Sequence, residues 1–206
     1  MRAASGRAAG GRLSAHRLFV AVDPPDDARR HLDAALDPLR DAPGAPRWAP
    51  PATWHLTLLF LGQVPDPVLP RLVPAVGAAV AGTPAMNLRL AGGGRFGSAR
   101  RPQVAWAGLE GDVVALAGLA DRLAVAARAQ GLAVEERPFR PHLTLGRWRP
   151  GRPADGALPD RLAGYRGPGW PVREVRLVES RLGAGARHET LAAWSVHQAY
   201  STGAGR

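Results

Sequence analysis

Trp54-His-Leu-Thr-Leu-Leu-Phe-Leu-Gly62 and Pro141-His-Leu-Thr-Leu-Gly-Arg147 are the stretches on which the fold turns. Both carry the tetrad His-Leu-Thr-Leu, first from position 55 and again from position 142, an interval of 87 residues in a chain of 206. An identical tetrad repeated after about half the ordered chain points to internal duplication. Each copy sits in a short apolar run closed by glycine, the pattern of a buried strand. Side chains alternate across a strand, so His and Thr at i and i+2 share one face while the two Leu residues point into a core. Two such strands from pseudo-symmetric lobes would set His55 and Thr57 opposite His142 and Thr144 across a cleft.

Outward from the tetrads, strands and helices are interspersed. Arg17–Val22 reads as a buried strand closed by Asp23-Pro24-Pro25, and Asp26–Arg40 as a helix with Ala28, Leu32, Ala35, Leu36 and Leu39 on one face. Pro67–Val80 and Asp112–Gln130 are the other predicted helices, the last stopped by Gly131. Further strands are expected at Met86–Leu90, Gln103–Leu109, His142–Trp148, Val172–Arg181 and Thr190–His197. Asp41–Pro51, Gly92–Pro102 and Arg149–Gly169 are rich in Pro, Gly or Arg and read as loops. The expectation is an α+β fold, bilobal, with pseudo-two-fold duplicated antiparallel sheets, outer helices and a central cleft. One domain is expected over residues 17–200, between a disordered Ala/Gly/Arg-rich extension (1–16) and a short disordered tail (201–206).

Composition narrows the chemistry. There is no cysteine, which excludes disulfides, thiolate metal sites and a cysteine nucleophile. No apolar run approaches the ~20 residues of a membrane-spanning helix. The net charge is +10, and all 27 basic residues are arginine. Lys and Ile are both absent, so part of that enrichment reflects GC-rich coding. The surplus of base over acid still favours phosphate-bearing partners.

Two imidazoles facing one cleft suit metal-free phosphoryl transfer, one accepting a proton from the attacking group and the other donating to the leaving oxygen. An ordinary pKa near ~6.5 makes both forms available at neutrality. Thr57 and Thr144 offer hydroxyls to a phosphate. Arg147 would help if it faced the site, but strand alternation puts it on the opposite face from His142 unless Gly146 bends the chain. Two His without adjacent acids make a poor metal site. The glycine-rich run Gly92–Ser98 lacks a P-loop's Gly-Lys-Ser/Thr, His188-Glu189 is no zincin signature, and there is no Gly-x-Ser-x-Gly elbow. His16, His31 and His197 read as solvated surface residues, and the six Trp mostly as packing.

With these features the sequence resembles the two-histidine (2H) phosphoesterase superfamily, and more closely the bacterial and archaeal RNA 2′,3′-cyclic phosphodiesterases, also called 2′-5′ RNA ligases. The resemblance runs from Arg17 to Trp194 and takes in Arg47-Trp48, Phe60-Leu61-Gly62, Phe96, Arg101–Trp106, Phe139-Arg140-Pro141, Gly146-Arg147 and Leu177–Ser180. It implies hydrolysis of a 2′,3′-cyclic phosphate to a 2′-phosphomonoester without metal or other cofactor. His55 would be general acid, His142 general base, and Thr57, Thr144 and Arg147 would hold the phosphate. Expected partners are RNA ends or cyclic nucleotides, transfer-RNA fragments among them, for a cytoplasmic enzyme that is a monomer by default. Two alternatives stand beside it: reversible 2′-5′ ligation, and noncatalytic binding of RNA ends. His188 stands where relatives often carry an aromatic residue.

Overall fold

The fold is described from a computed structural model, for residues 14–181 and 187–196. Among the described residues nine strands form one antiparallel sheet: β1 (Ala15–Val22), β2 (Arg47–Trp48), β3 (Leu56–Pro65), β4 (Asn87–Ser98), β5 (Arg101–Gly111), β6 (Leu143–Arg147), β7 (Arg166–Pro171), β8 (Glu174–Arg181) and β9 (Arg187–Ser195). Across the sheet they run β7-β4-β5-β6-β3-β1-β8-β9, with β2 alongside β6. The duplication is visible in this order. The half-sheet β7-β4-β5-β6 meets the half-sheet β3-β1-β8-β9 where the two tetrad strands pair.

The helices are α1 (Asp26–Leu36), α2 (Leu69–Ala81) and α3 (Val113–Ala129). Leu32 and Leu36, Leu72 and Val76, and Leu119 and Leu123 bury their side chains in one continuous core with Leu56 and Leu143. The helices interleave the halves. α1 follows β1 yet packs against β7 and β4, whereas α3 follows β5 yet packs against β3 and α2. Each crossover clamps the opposite half, so the halves share a core although their sheets join through little pairing. Trp54, 2% exposed and donating its Nε1–H to the Ala49 carbonyl at 3.1 Å, locks the approach to β3. Its replacement by Ala is expected to cost about 3–5 kcal/mol.

Several expectations change. The predicted loop Gly92–Pro102 is the heart of a β-hairpin, β4–β5. Glycines carry no alternation to read, and the Trp106 ring occupies the space that a side chain at position 94 would need. Arg149–Gly169 contains a 3-10 turn, Leu158–Leu162, and the start of β7, while Asp41–Pro51 contains β2. The first helix ends at Leu36 and tightens to 3-10 geometry over Asp37–Leu39, because Pro38 has no N–H to continue the ladder. The chain is already in strand at Ala15 and His16, inside the expected extension. His16 is not a solvated tail residue: its ring meets Asp66 at 2.8 Å and Glu179 at 2.7 Å. Residues 1–13, His197 and the expected tail lie outside the described residues. No helix among the described residues is long and apolar enough to cross a membrane.

Candidate active site

The junction of the half-sheets is the pair Leu56–Leu143, in antiparallel register. Both side chains are buried on the helical face. Continuing this register one residue either way puts His55 opposite Thr144 and Thr57 opposite His142. All four therefore share the face away from the helices. Their half-buried state fits that placement. Diagonal cross-strand neighbours such as the two histidines lie about 7–8 Å apart at Cα, which leaves room for one tetrahedral group between the rings. The cleft is thus the open face of a seam between adjacent strands rather than a gap between separate sheets.

The two imidazoles are held alike. His55 donates Nδ1–H to the Thr53 carbonyl at 2.8 Å, and His142 donates Nδ1–H to the Arg140 carbonyl at 2.7 Å. A carbonyl only accepts, so in both neutral rings Nδ1 carries the proton and Nε2 is left as the reactive nitrogen. Both histidines stand one residue ahead of their strands, where the backbone two residues back is free to supply that carbonyl. Aromatic rings fix the orientation further. Phe19 stacks on His55 at 4.8 Å between centroids, and Phe96 and His142 meet near perpendicular at 4.8 Å.

A matched pair of bulges decides what else reaches this face. In β3 the register against β1 slips between Val20–Leu59 and Ala21–Thr57, leaving Leu58 unpaired. In β6 the register against β5 slips between Ala105–Gly146 and Trp106–Thr144, leaving Leu145 unpaired. Each extra residue is the final Leu of a tetrad, and each flips the parity of the residues beyond it. Arg147 now pairs with Val104, which lies two residues from Trp106 and so on the face of Thr144. The expectation that alternation turns Arg147 away is overturned by the bulge, with no bend needed at Gly146.

Burial lowers the pKa of His55 and His142 below the ordinary imidazole value in both cases. The Thr53 carbonyl pulls His55 back up, His188 pushes it down, Asp23 raises it and Arg176 lowers it. For His142 the Arg140 carbonyl raises and the cation of Arg147 lowers. Asp23 is thus a carboxylate that acts on the His55 ring, whereas none among the described residues acts on His142. Asp23 is anchored by Arg29 at 3.1 Å and by Arg176.

Beside His55 lies a cavity of about 280 Å³ lined by Phe19, Asp23, Trp54, Arg176 and His188. A second, of about 470 Å³, is lined by Trp106, Glu110, Pro141, Tyr165 and Arg166 and flanks His142 through Pro141. Phe19 and Trp106, Asp23 and Glu110, and Trp54 and Pro141 are again 87 positions apart. The duplication has therefore shaped a recess at each end of the seam. Trp54 and Trp106 each line a recess, Trp54 while buried, and Trp148 and Trp170 are buried. His31 is exposed, as expected, with Nδ1 3.1 Å from the Tyr165 hydroxyl. Asp23, Arg176 and the two carbonyls have no signature in the sequence, and Phe96 and His188 stand out in it through the family resemblance. Among the described residues there is no group of three or more His, Asp or Glu that could hold a metal ion.

Comparison with known proteins places this geometry. A profile of the 2′-5′ RNA ligase superfamily matches residues 20–184. The chain is 36% identical over 179 residues to the RNA 2′,3′-cyclic phosphodiesterase of Thermus thermophilus, covering 81% of this chain and 82% of that protein. It is 28% identical over 181 residues to the protein of the same name from Geobacillus stearothermophilus, covering 86% of this chain but only 56% of that longer relative. Among solved structures, Escherichia coli LigT complexed with 3′-AMP superimposes with a TM-score of 0.72 at 28% identity, over 89% of this chain and 99% of that one.

Proposed function

The chain belongs to the 2′-5′ RNA ligase superfamily, and from that premise we propose that it hydrolyses the 2′,3′-cyclic phosphate of RNA ends or small nucleotides to a 2′-phosphomonoester. The observation that carries the reading is the matched pair of imidazoles: Nδ1 of each is tied to the carbonyl two residues back, which leaves both Nε2 atoms for proton transfer on one face. The names of the Thermus and Geobacillus relatives and the nucleotide bound to LigT support the substrate class.

In this mechanism the cyclic phosphate lies over the Leu56–Leu143 seam. His142 takes a proton from water through Nε2 as the water oxygen attacks phosphorus. The P–O3′ bond breaks, and His55 delivers its Nε2 proton to the departing O3′. The products are a 3′-hydroxyl and a 2′-phosphate. Thr57, Thr144 and Arg147 hold the nonbridging oxygens, where negative charge builds as the new bond forms. Asp23 supports His55 as the acid, since a nearby carboxylate favours the protonated ring, although His188 and Arg176 oppose it. His142, facing the cation of Arg147, is the ring better kept neutral as a base. Two such environments are what let like groups take unlike roles.

The test is a product assay with 2′,3′-cyclic AMP in the presence of excess EDTA. The expected product is 2′-AMP at an undiminished rate. Formation of 3′-AMP would reverse the bond assignment, and loss of turnover in EDTA would overturn the metal-free reading. Retained binding of the nucleotide with no turnover would favour a noncatalytic RNA-end protein. The same groups, with a ribose 5′-hydroxyl in place of water as the nucleophile and O3′ again departing, would carry out 2′-5′ ligation.

A further inference from the structure

Arg47 and Arg147 are directly opposite one another in the β2–β6 pair. Directly opposed residues have Cβ atoms about 4.5–5.5 Å apart and share a face, and two like charges so placed are destabilising. No carboxylate offsets the repulsion, which only solvent screens: both side chains are exposed, and no ion pair among the described residues includes either. The chain nevertheless goes to some length to hold them together. Gly146 opposes Trp48, and a Cβ there would stand 2.7 Å from the Arg47 carbonyl oxygen, so the absence of a side chain admits β2 to its place. Trp48 fixes β2 with an Nε1–H bond to the Arg40 carbonyl at 3.2 Å, and the Ala49 N–H bonds the Leu145 carbonyl at 2.7 Å.

The bulge at Leu145 brings Arg147, and with it Arg47, onto the face of Thr144 and the histidines. Arg147 is the inner of the two, near enough to His142 to lower its pKa. Arg47 lies across from Arg147 on β2, which takes the same edge of β6 as β3, beyond the start of β3. At the equivalent position in the first half, five residues beyond His55, stands Phe60, 59% exposed and paired with Phe19. At the His55 end Arg29 and Arg176 are paired with Asp23, whereas Arg147 and Arg47 are in no ion pair among the described residues, so an anionic chain leaving the reacting phosphate is drawn toward these two.

We infer that Arg47 binds the internucleotide phosphate immediately 5′ of the cyclic end, so that this chain prefers oligonucleotide substrates over free cyclic mononucleotides. This rests on the hydrolase reading above and specifies its substrate. Two successive phosphates, the cyclic one on Arg147 and the internucleotide one on Arg47, offset the repulsion of the two cations, and each guanidinium fork is suited to a phosphate. A cyclic mononucleotide offers Arg147 its single phosphate and leaves Arg47 without a partner; adding one nucleotide supplies the second charge.

The experiment measures kcat/KM for adenylyl-(3′→5′)-adenosine 2′,3′-cyclic phosphate and for 2′,3′-cyclic AMP, in the wild type, Arg47→Ala and Arg47→Lys. In the wild type the dinucleotide is expected to be the better substrate. In Arg47→Ala the ratio of the two values is expected to fall about tenfold, the weight of one charged contact. The ratio recovers in part in Arg47→Lys, which keeps the charge without the fork. For the dinucleotide, the slope of log(kcat/KM) against log salt should lose about 0.7 in Arg47→Ala, one phosphate's share on a single strand. An equal ratio in wild type and Arg47→Ala overturns this inference while leaving the hydrolase intact. A wild-type chain that turns over neither substrate removes the hydrolase reading and this inference with it.

Discussion

Phe60 and Arg147 occupy the same position in the two halves of the molecule, each five residues beyond its histidine and each carried to the open face by an unpaired Leu. Duplication supplied two similar strands, and this difference, together with Asp23 acting on His55 alone, gives the seam a direction. The proposed acid and base roles, phosphate contacts and substrate path all rest on that broken symmetry.

Loss of either ring should show directly. His55→Ala and His142→Ala are each expected to lower kcat on 2′,3′-cyclic AMP by about 10²–10⁴-fold, the usual weight of a positioned acid or base. The double variant should fall little further, because both rings serve one step. Steady-state kinetics with a binding measurement on the product separates the loss of chemistry from the loss of affinity. Retention of wild-type turnover by either single variant would sink the two-imidazole mechanism.

The pH profile of kcat/KM derives from burial. The base must be neutral and the acid protonated, so His142 sets the rising limb and His55 the falling one. Both pKa values lie below the ordinary imidazole value, which puts the maximum on the acid side of about pH 6.5 in the free enzyme. Asp23→Asn removes a group that raises His55 and leaves the cation of Arg176 uncompensated. Its falling limb should move to lower pH while the rising limb stays. Movement of the rising limb instead would exchange the two roles.

Gly146→Ala tests the seat of β2. The added methyl would press on the Arg47 carbonyl oxygen, and β2 must withdraw or β6 shift. The expected cost is about 1–3 kcal/mol, read as a lowered melting temperature. The preference for a dinucleotide over 2′,3′-cyclic AMP should weaken with it. An unchanged melting temperature and an unchanged preference would show that the strand contact is not what holds Arg47.

His16 makes stability depend on pH in a defined direction. Its hydrogen bond to Glu179 raises the His16 pKa, and the same bond lowers that of Glu179. A raised histidine contributes stability below its unfolded pKa and loses it as pH climbs through the folded value. A lowered carboxylate contributes above its unfolded pKa and loses it as pH falls through the folded value. The pair is therefore most stabilising between those limits, in the mildly acidic range. Thermal melts of His16→Gln should differ most from wild type near pH 5.5–6 and converge above the raised His16 value. A difference that persists unchanged at alkaline pH would assign His16 a packing role instead.

The repeated His-Leu-Thr-Leu, its interval and the apolar periodicity of the helices can be read from the chain alone, because each is a local matter of which residue type recurs at what spacing. They reach the four groups His55, Thr57, His142 and Thr144, the mixed fold and the duplicated halves. Pairing between distant strands decides everything else. The seating of Leu56 against Leu143, the slips that leave Leu58 and Leu145 unpaired, the turn of Arg147 to the open face and the arrival of Arg47 beside it all arise between segments far apart in sequence. A bulge belongs to two strands at once, so no single strand's alternation announces it. His16 looks like a solvated residue in the sequence for the same reason: its acidic partners, Asp66 and Glu179, stand 50 and 163 residues away along the chain.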